Sequence, residues 1–144
     1  MTAITRIELS IQTGGADGAG MQNGEVYLGL AGREFHVDSA HNDFEPDSDF
    51  TYIFSHHGAN VTDQEDNDPT DPWQLDSDDI KRCPRYIRFE PRRVAGRVEE
   101  WNVASVQLVV KSGNSVIFTE KRLGEDDANL WMGGEFKSRY LYFP

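Results

Sequence analysis

The sequence predicts an all-β protein that folds as an antiparallel β-sandwich of about eight strands. Short runs in which apolar and polar residues alternate recur along the chain, and glycine, asparagine and aspartate separate them. No stretch repeats its apolar residues at helical spacing. With 144 residues, the chain is long enough for one domain with its own core. We therefore expect a single domain over residues 1–144.

The first part of the chain holds four candidate strands. Residues 4–12 and 25–31 place an apolar side chain at every second position, which is the pattern of a strand with one buried face. A tight turn at Gly32 then leads into a short strand around residues 35–37. Residues 50–54 are apolar on both faces, and this predicts a strand in the centre of a sheet.

Later segments repeat this pattern. Residues 86–89 form a short candidate strand, and residues 101–110 form the longest one in the chain. A hairpin turn at residues 111–114 joins the long strand to residues 115–119. Residues 139–143 predict a last strand.

Charge is concentrated in two neighbouring segments. Residues 62–79 hold many aspartates and two prolines but no basic residue, which predicts an acidic surface-loop insertion, the acidic loop. Residues 81–97 hold half of the chain's basic residues, and a loop is expected over residues 91–96. Internal pairing with the acidic loop is the simplest explanation of this basic segment, and a docking patch is the alternative. Residues 130–134 are expected as an exposed loop with two large apolar side chains.

Composition and charge exclude several classes of function. The net charge of −11 argues against nucleic acid, whose phosphates require a basic surface. The single Cys83 excludes a disulfide framework and a cysteine zinc cluster, and we expect it to be buried. Residues 1–6 do not have the apolar core of a signal peptide, and no run is long enough to span a bilayer. A cytoplasmic location is therefore expected by default, and the oligomeric state stays open.

Residues 13–24 form a glycine-rich segment between two predicted strands, which we call the opening loop. Glycine adopts backbone conformations closed to other residues and brings carbonyl groups into the open. Asp17, Asn23 and Glu25 add side-chain oxygens, and this combination suits a hard cation such as calcium. A phosphate-binding loop would need a helix after the glycines, and a strand pattern follows instead. A flexible connection between strands is the remaining alternative.

Several motifs follow one another in an order that resembles the PLAT/LH2 domain. They are TGGADGAG at 13–20, VYLGL at 26–30, FEPDSDF at 44–50, EWNVASVQL at 100–108 and VIF at 116–118. This family is a β-sandwich of C2-like appearance that is appended to lipoxygenases, animal lipases and a bacterial phospholipase C toxin. Gly15 stands where the family has an aspartate, and Met21 and Gln22 stand where it has threonine and aspartate.

The resemblance implies an accessory module whose end loops bind calcium and present apolar side chains to a membrane, or whose surface docks a protein. By position, the ligand oxygens would come from the opening loop, from a second loop and from a third loop before the long strand. These residues are Asp17, Gly18, Gly20, Asn23 and Glu25, then Asp43, Asp47 and Asp49, and finally Glu99 or Glu100. The apolar contact residues at loop tips would be Met21, Trp73, Trp131 and Met132.

The sequence offers little for catalysis. It contains no nucleophile elbow, no paired-histidine zinc motif and no cysteine–histidine constellation of known spacing. His56 and His57 are adjacent in a strand pattern and should point to opposite faces, unless Gly58 bends the chain. We therefore predict a non-catalytic module that docks a protein or a membrane or lipid partner, with calcium assistance. A self-associating assembly subunit and a carbohydrate-binding sandwich are the alternatives.

Overall fold

The computed structural model describes residues 1–124 and 127–143. Strands account for nearly all of the regular structure in these residues, as the alternating pattern predicts. In chain order the elements are β1 (Arg6–Thr13), β2 (Glu25–Leu30), β3 (Arg33–His36), β4 (Asp49–Ser55), α1 (Asp79–Arg82), β5 (Tyr86–Glu90), β6 (Arg93–Val94), β7 (Arg97–Val98), β8 (Glu100–Ser112), β9 (Ser115–Leu123), β10 (Leu130–Gly133) and β11 (Tyr140–Tyr142).

The strands form two antiparallel sheets that pack face to face, which confirms the predicted β-sandwich. The first sheet has the order β10-β8-β1-β4, and β9 pairs with the remaining length of β8. The second sheet has the order β11-β5-β2-β3, and β6 and β7 form a separate hairpin. Because neighbouring strands come from distant parts of the chain, loops that are remote in sequence meet at each end of the sandwich.

The core lies between the sheets and is filled by the apolar positions of the alternating strands. Leu9 of β1 faces Leu108 of β8 across the ladder, and both side chains are fully buried. Burying a side chain of this size contributes about 1.5–3 kcal/mol. Trp101 closes the core beneath the opening loop, where its indole N–H donates to Thr13 Oγ1 at 2.9 Å.

The central position predicted for residues 50–54 is wrong, because β4 lies at the edge of its sheet. Asn60 covers the free edge of this strand. Its side-chain oxygen accepts the N–H of Ile53 at 2.7 Å, and its amide group donates to the carbonyl of Thr51 at 2.8 Å. The Asn60 side chain thus hydrogen-bonds two backbone groups of β4 that a neighbouring strand would otherwise pair with.

Four short elements, β6, β7, α1 and β10, lie in or next to segments that the sequence predicts as loops. The β6–β7 hairpin lies in the basic segment, and α1 is a single turn at the end of the acidic loop. β10 forms because its residues pair with the beginning of β8, a contact that no local pattern signals. Cys83 follows α1 and is partly exposed, not buried as predicted. Within the described residues, no helix has the length and apolar character that crossing a membrane requires.

Candidate functional site

The opening loop is folded back against the end of the sandwich by hydrogen bonds. The N–H of Gly14 donates to the carbonyl of Asn102 at 2.9 Å, and the N–H of Asn102 donates to the carbonyl of Ala19 at 2.8 Å. The N–H of Met21 donates to the carbonyl of Phe44 at 3.1 Å. The loop is therefore an ordered cover over the core.

Two glycines of this loop serve close packing. A Cβ atom at Gly20 would lie 2.5 Å from the side chain of Pro46 and 2.8 Å from the carbonyl oxygen of Phe44. A Cβ atom at Gly15 would lie 2.3 Å from a carboxylate oxygen of Asp47. The glycines let the second loop, residues 43–49, lie directly against the opening loop.

Glu99 connects the opening loop to two other segments. Its Oε2 accepts the N–H groups of Gln22 and Asn23 at 3.1 and 3.0 Å, and its Oε1 accepts the N–H of Arg92 at 3.2 Å. Its own N–H donates to the carbonyl of Arg92 at 2.9 Å, and its carbonyl accepts the N–H of Gly134 at 2.7 Å. One residue thus ties together the opening loop, the segment before β6 and the turn after β10.

Asp43 in the second loop is also engaged within the protein. Its carboxylate accepts the Ser39 N–H at 2.9 Å and the hydroxyls of Ser39 and Tyr52 at 2.7 and 2.8 Å. Burial raises the pKa of Asp38, the Thr62 hydroxyl opposes this rise, and the Asp43 carboxyl reinforces it. Burial and the Asp43 carboxylate also raise the pKa of Tyr52. These groups form a network that is satisfied internally.

Two further predicted ligands have partners elsewhere. The Glu25 carboxylate lies 2.5 Å from Nε2 of His36, whose ring stacks on Tyr27. The Glu100 carboxylate lies 3.0 Å from the ammonium group of Lys137. Glu25 and Glu100 therefore each point toward a basic side chain of the protein.

Six of the predicted calcium ligands line one depression, and Glu25 and Asp43 line a neighbouring one; the six are Asp17, Gly18, Gly20, Asn23, Glu99 and Glu100. Asp17, Asp47, Asp49, Gly18 and Asn23 are exposed, and Gly20 is half-buried. In the part of the chain that the structure describes, no group of three or more histidine, cysteine, aspartate or glutamate residues could hold a metal ion. The residues present do not fit a preformed calcium site, which needs several oxygens directed at one centre. Calcium binding stays a prediction.

Two of the four predicted apolar contact residues are buried. Met21 is 3% exposed and Met132 is 0% exposed, so the prediction that they lie at exposed loop tips is wrong. Met21 turns inward because the opening loop folds over the core, and Met132 because β10 joins the first sheet. Trp131 is half-buried, and Trp73 is 65% exposed on the acidic loop.

The apolar tips at the opening-loop end of the sandwich are Phe136 and Val94. Phe136 lies on the turn after β10 and is 95% exposed, and Val94 lies at the tip of the β6–β7 hairpin and is 43% exposed. The guanidinium of Arg93 lies 3.7 Å from the Glu135 carboxylate, which places the two tips side by side. We call residues 93–98 and 133–138 together the hairpin end.

The turn that carries Phe136 is fixed by its backbone. The N–H of Gly133 donates to the carbonyl of Ser138 at 2.8 Å, and the N–H of Lys137 donates to the carbonyl of Gly133 at 3.1 Å. Gly133 and Gly134 have φ values of 83° and 60°, which favour glycine. A glycine pair followed by a lone aromatic residue and a lysine is a sequence signal that could have identified this tip.

A depression of about 500 Å³ separates the hairpin end from the opening loop. Val94 and Val98 of the hairpin line it together with Trp131 and residues 20–23. Trp131 therefore faces the same region as the exposed tips, although it is not at a tip itself.

The basic segment 81–97 pairs mainly with strands and not with the acidic loop. Arg88 binds Glu34 and Glu90, Arg85 binds Glu120, and Arg93 lies near Glu135. Arg82 pairs with Asp79, the last position of the acidic loop, at 3.3 Å. Arg92 and Arg97 are exposed, and neither forms an ion pair with a residue that the structure describes. The hairpin end thus carries accessible positive charge in an acidic protein.

His56 and His57 lie together after the end of β4. Their ring centroids are 4.4 Å apart, because the chain leaves the strand at Ser55 and bends at Gly58, where φ is 77°. The exception named for a bend at Gly58 therefore applies, and the two rings lie together. Nδ1 of His56 lies 2.7 Å from the Asp68 carboxylate, so this ring joins the acidic loop to β4.

Comparisons with known proteins agree with the sandwich architecture. No protein-family model matches the chain, and no curated protein matches it. The structure is similar to alpha toxin from Clostridium absonum, with 16% identity, a TM-score of 0.58, and coverage of 98% of this chain and 31% of the toxin chain. It is also similar to Clostridium perfringens alpha-toxin from avian strain SWCP, with 21% identity, a TM-score of 0.59, and coverage of 99% and 31%. The chain spans about a third of the length of these toxins, and the likeness shows a shared fold.

Proposed function

We propose that this chain is a non-catalytic module that docks on a lipid surface through the hairpin end. The observation that carries the proposal is Phe136, an aromatic side chain held almost fully in solvent by a hydrogen-bonded turn. The resemblance of the sequence to PLAT/LH2 domains supports the same class of function.

The exposed tips have the chemistry of an interfacial anchor. Removing the Phe136 side chain from water contributes about 1.5–3 kcal/mol. Val94 adds a smaller exposed apolar side chain at the same end of the sandwich. Two neighbouring apolar tips can enter the interfacial region of a membrane together, because they project from one end of the sandwich.

Arg92 and Arg97 add the electrostatic part of this contact. A basic residue near an anionic membrane surface contributes about 1 kcal/mol. The net charge of −11 opposes approach to the same surface, so orientation matters. An approach with the hairpin end foremost brings these cations to the phosphates.

Sedimentation with vesicles of phosphatidylcholine and phosphatidylserine tests the proposal. Phe136→Ser should lower the partition coefficient about tenfold or more, because the apolar contribution is lost. Trp73→Ser is the matched control, since it removes an exposed aromatic residue from the acidic loop, and it should change binding less than about twofold. Equal losses in the two variants, or no binding by the unaltered protein, would contradict the proposal.

A second copy of the chain is the second candidate partner, and an exposed tyrosine pair favours it. Tyr140 and Tyr142 lie on the edge strand β11 with ring centroids 5.7 Å apart, and Tyr86 packs against Tyr140 at 5.5 Å. Tyrosine is enriched in protein interfaces because it offers a large contact area with few rotatable bonds. Sedimentation velocity should then show a dimer that Tyr142→Ser weakens and Phe136→Ser does not. A monomer at all concentrations would reject this candidate.

A further inference from the structure

We infer that Glu99, and not a cation, orders the opening loop and positions the hairpin end, so that lipid docking is independent of calcium. The part of this inference that concerns docking rests on the function proposed above. The part that concerns the loop stands on its own hydrogen bonds.

The Glu99 carboxylate is occupied by backbone donors. It accepts three N–H groups, from Gln22, Asn23 and Arg92, at 3.0 to 3.2 Å. A carboxylate has about four acceptor positions in all, so most of its capacity is used. The Glu99 side chain therefore connects the opening loop to the segment before β6 without a cation between them.

Two further carboxylates of the predicted ligand set, Asp43 and Glu100, are occupied as well. Asp43 accepts three hydrogen bonds from Ser39 and Tyr52, and Glu100 pairs with Lys137. A cation that used Asp43, Glu99 or Glu100 as ligands would have to break these contacts before it gained new ones. Calcium ligands in proteins are oxygens that point at a common centre, and these oxygens point at donors in different directions.

Two backbone carbonyls of the opening loop also accept hydrogen bonds from within the protein. The carbonyl of Gly14 accepts the N–H of Asp47 at 3.1 Å, and the carbonyl of Ala19 accepts the N–H of Asn102 at 2.8 Å. The contact of Gly20 with Phe44 fills the space between the two loops. The loop is closed by packing and hydrogen bonds where an ion would otherwise hold it.

Glu99 also fixes the two tips relative to each other. Its carboxylate and main chain hold Arg92, next to the hairpin, and its carbonyl holds Gly134, two residues before Phe136. Loss of the carboxylate should therefore loosen the opening loop and the tips together. Glu99 acts as a positioning residue, since it reaches the lipid surface only through its neighbours.

Two measurements on the unaltered protein test this inference. Thermal unfolding without lipid should give the same midpoint in about 5 mM calcium and in chelator, a concentration above the dissociation constants of weak calcium modules. Vesicle binding should differ less than about twofold between the same two conditions. A midpoint that rises by about 2 °C or more in calcium, or binding that needs calcium, would overturn the inference.

The Glu99→Gln variant distinguishes two roles of Glu99, acceptor of backbone hydrogen bonds and ligand of a cation. The amide places a donor against one of the three backbone donors, so unfolding temperature and vesicle binding should fall equally in calcium and in chelator. Glu100→Gln, which removes only a surface pair with Lys137, should change both by much less. A loss in Glu99→Gln that appears only in calcium would show that Glu99 is a cation ligand.

The outcomes also separate this inference from the function on which it draws. If the unaltered protein binds no vesicles in either condition, the docking proposal fails, while the thermal midpoints still decide how the loop is ordered. If Glu99→Gln does not fold, the comparison of calcium and chelator in the unaltered protein still gives the answer.

Discussion

The acidic loop and the hairpin end contact different parts of the sandwich and expose different chemistry. Leu75 of the acidic loop bonds Ile4, just before β1, whereas Gly133 of the hairpin end pairs with Glu100 at the start of β8. The acidic loop turns its backbone inward, since the guanidinium of Arg33 donates to the carbonyls of Asp66, Asp68 and Asp71 at 2.6, 2.6 and 3.1 Å. The hairpin end is tied to the body through Glu99 and turns apolar side chains outward.

This difference indicates that the acidic loop closes the core and that the hairpin end is a contact surface. The N–H of Ile4, just before β1, donates to the carbonyl of Leu75 at 3.0 Å, and the side chains of Leu75, Val61 and Ile80 are buried. The acidic loop therefore closes one end of the core, and its exposed carboxylates keep that end hydrated. The exposed apolar tips Phe136 and Val94 close no part of the core, and they lie at the end for which we propose lipid docking.

The largest effect on stability should come from Asn67→Ala in the acidic loop. Asn67 is 2% exposed; it accepts the N–H of His36 and donates to the carbonyls of His36 and Thr62. Loss of these buried bonds should lower the free energy of unfolding by about 2–4 kcal/mol. Urea unfolding measures this loss, and vesicle binding by the folded variant should not change.

Asn114→Ala is the control for this prediction, because Asn114 is exposed in the β8–β9 turn. It should change the free energy of unfolding by less than about 0.5 kcal/mol. If Asn67→Ala has an effect equally small, the acidic loop is not a closing element and the contrast between the two ends fails.

Local patterns predicted the longer strands that have one buried face, and they missed short strands whose structure depends on a partner elsewhere in the chain. The alternating pattern of residues 4–12 and 25–31 predicts β1 and β2, because one face of each strand is buried along its whole length. β10 has only four residues and ends in glycine, so its pairing with β8 decides its structure. That pairing also buries Met132, which the sequence alone left at a loop tip.

The candidate site was predictable in part. The opening loop, Asp43 and Glu99 were identified as one functional end, and the structure does bring them close together. Their oxygens were expected to face a cation, but the direction of a carboxylate depends on donors from distant segments, such as Tyr52 for Asp43. Phe136 was missed because a single aromatic residue in a turn belongs to no periodic pattern.

A smaller effect, and one that depends on pH, is expected for Asp68→Asn. Burial would raise the pKa of Asp68, but hydrogen bonds from the Thr70 hydroxyl and amide and from His56 outweigh it and lower the pKa. The stabilisation by a carboxylate with a lowered pKa is present above its unfolded pKa of about 3.9 and disappears as the pH falls through the folded pKa. The variant should lose about 1–2 kcal/mol at pH 7.

The difference between the variant and the unaltered protein should shrink as the pH falls below about 4, where the unfolded chain binds a proton at Asp68, and on through the lower pKa of the folded state. Urea unfolding at several pH values measures it. A difference that stays constant with pH would mean that the Asp68 charge does not stabilise the acidic loop. Because Asp68 is remote from the hairpin end, vesicle binding at pH 7 should be unaffected.

The smallest effect is expected for Arg97→Ser at the hairpin end, and it should appear in binding alone. Loss of one exposed cation should weaken binding to anionic vesicles by about 1 kcal/mol, or about fivefold, while unfolding changes by less than about 0.5 kcal/mol. Arg82→Ser removes an exposed arginine next to the acidic loop and is the matched control. Vesicle sedimentation at low and high salt measures both variants, and the effect of Arg97→Ser should diminish as salt screens the surface. Equal losses in the two variants would mean that binding responds to total charge, and the hairpin end would then have no special role in docking.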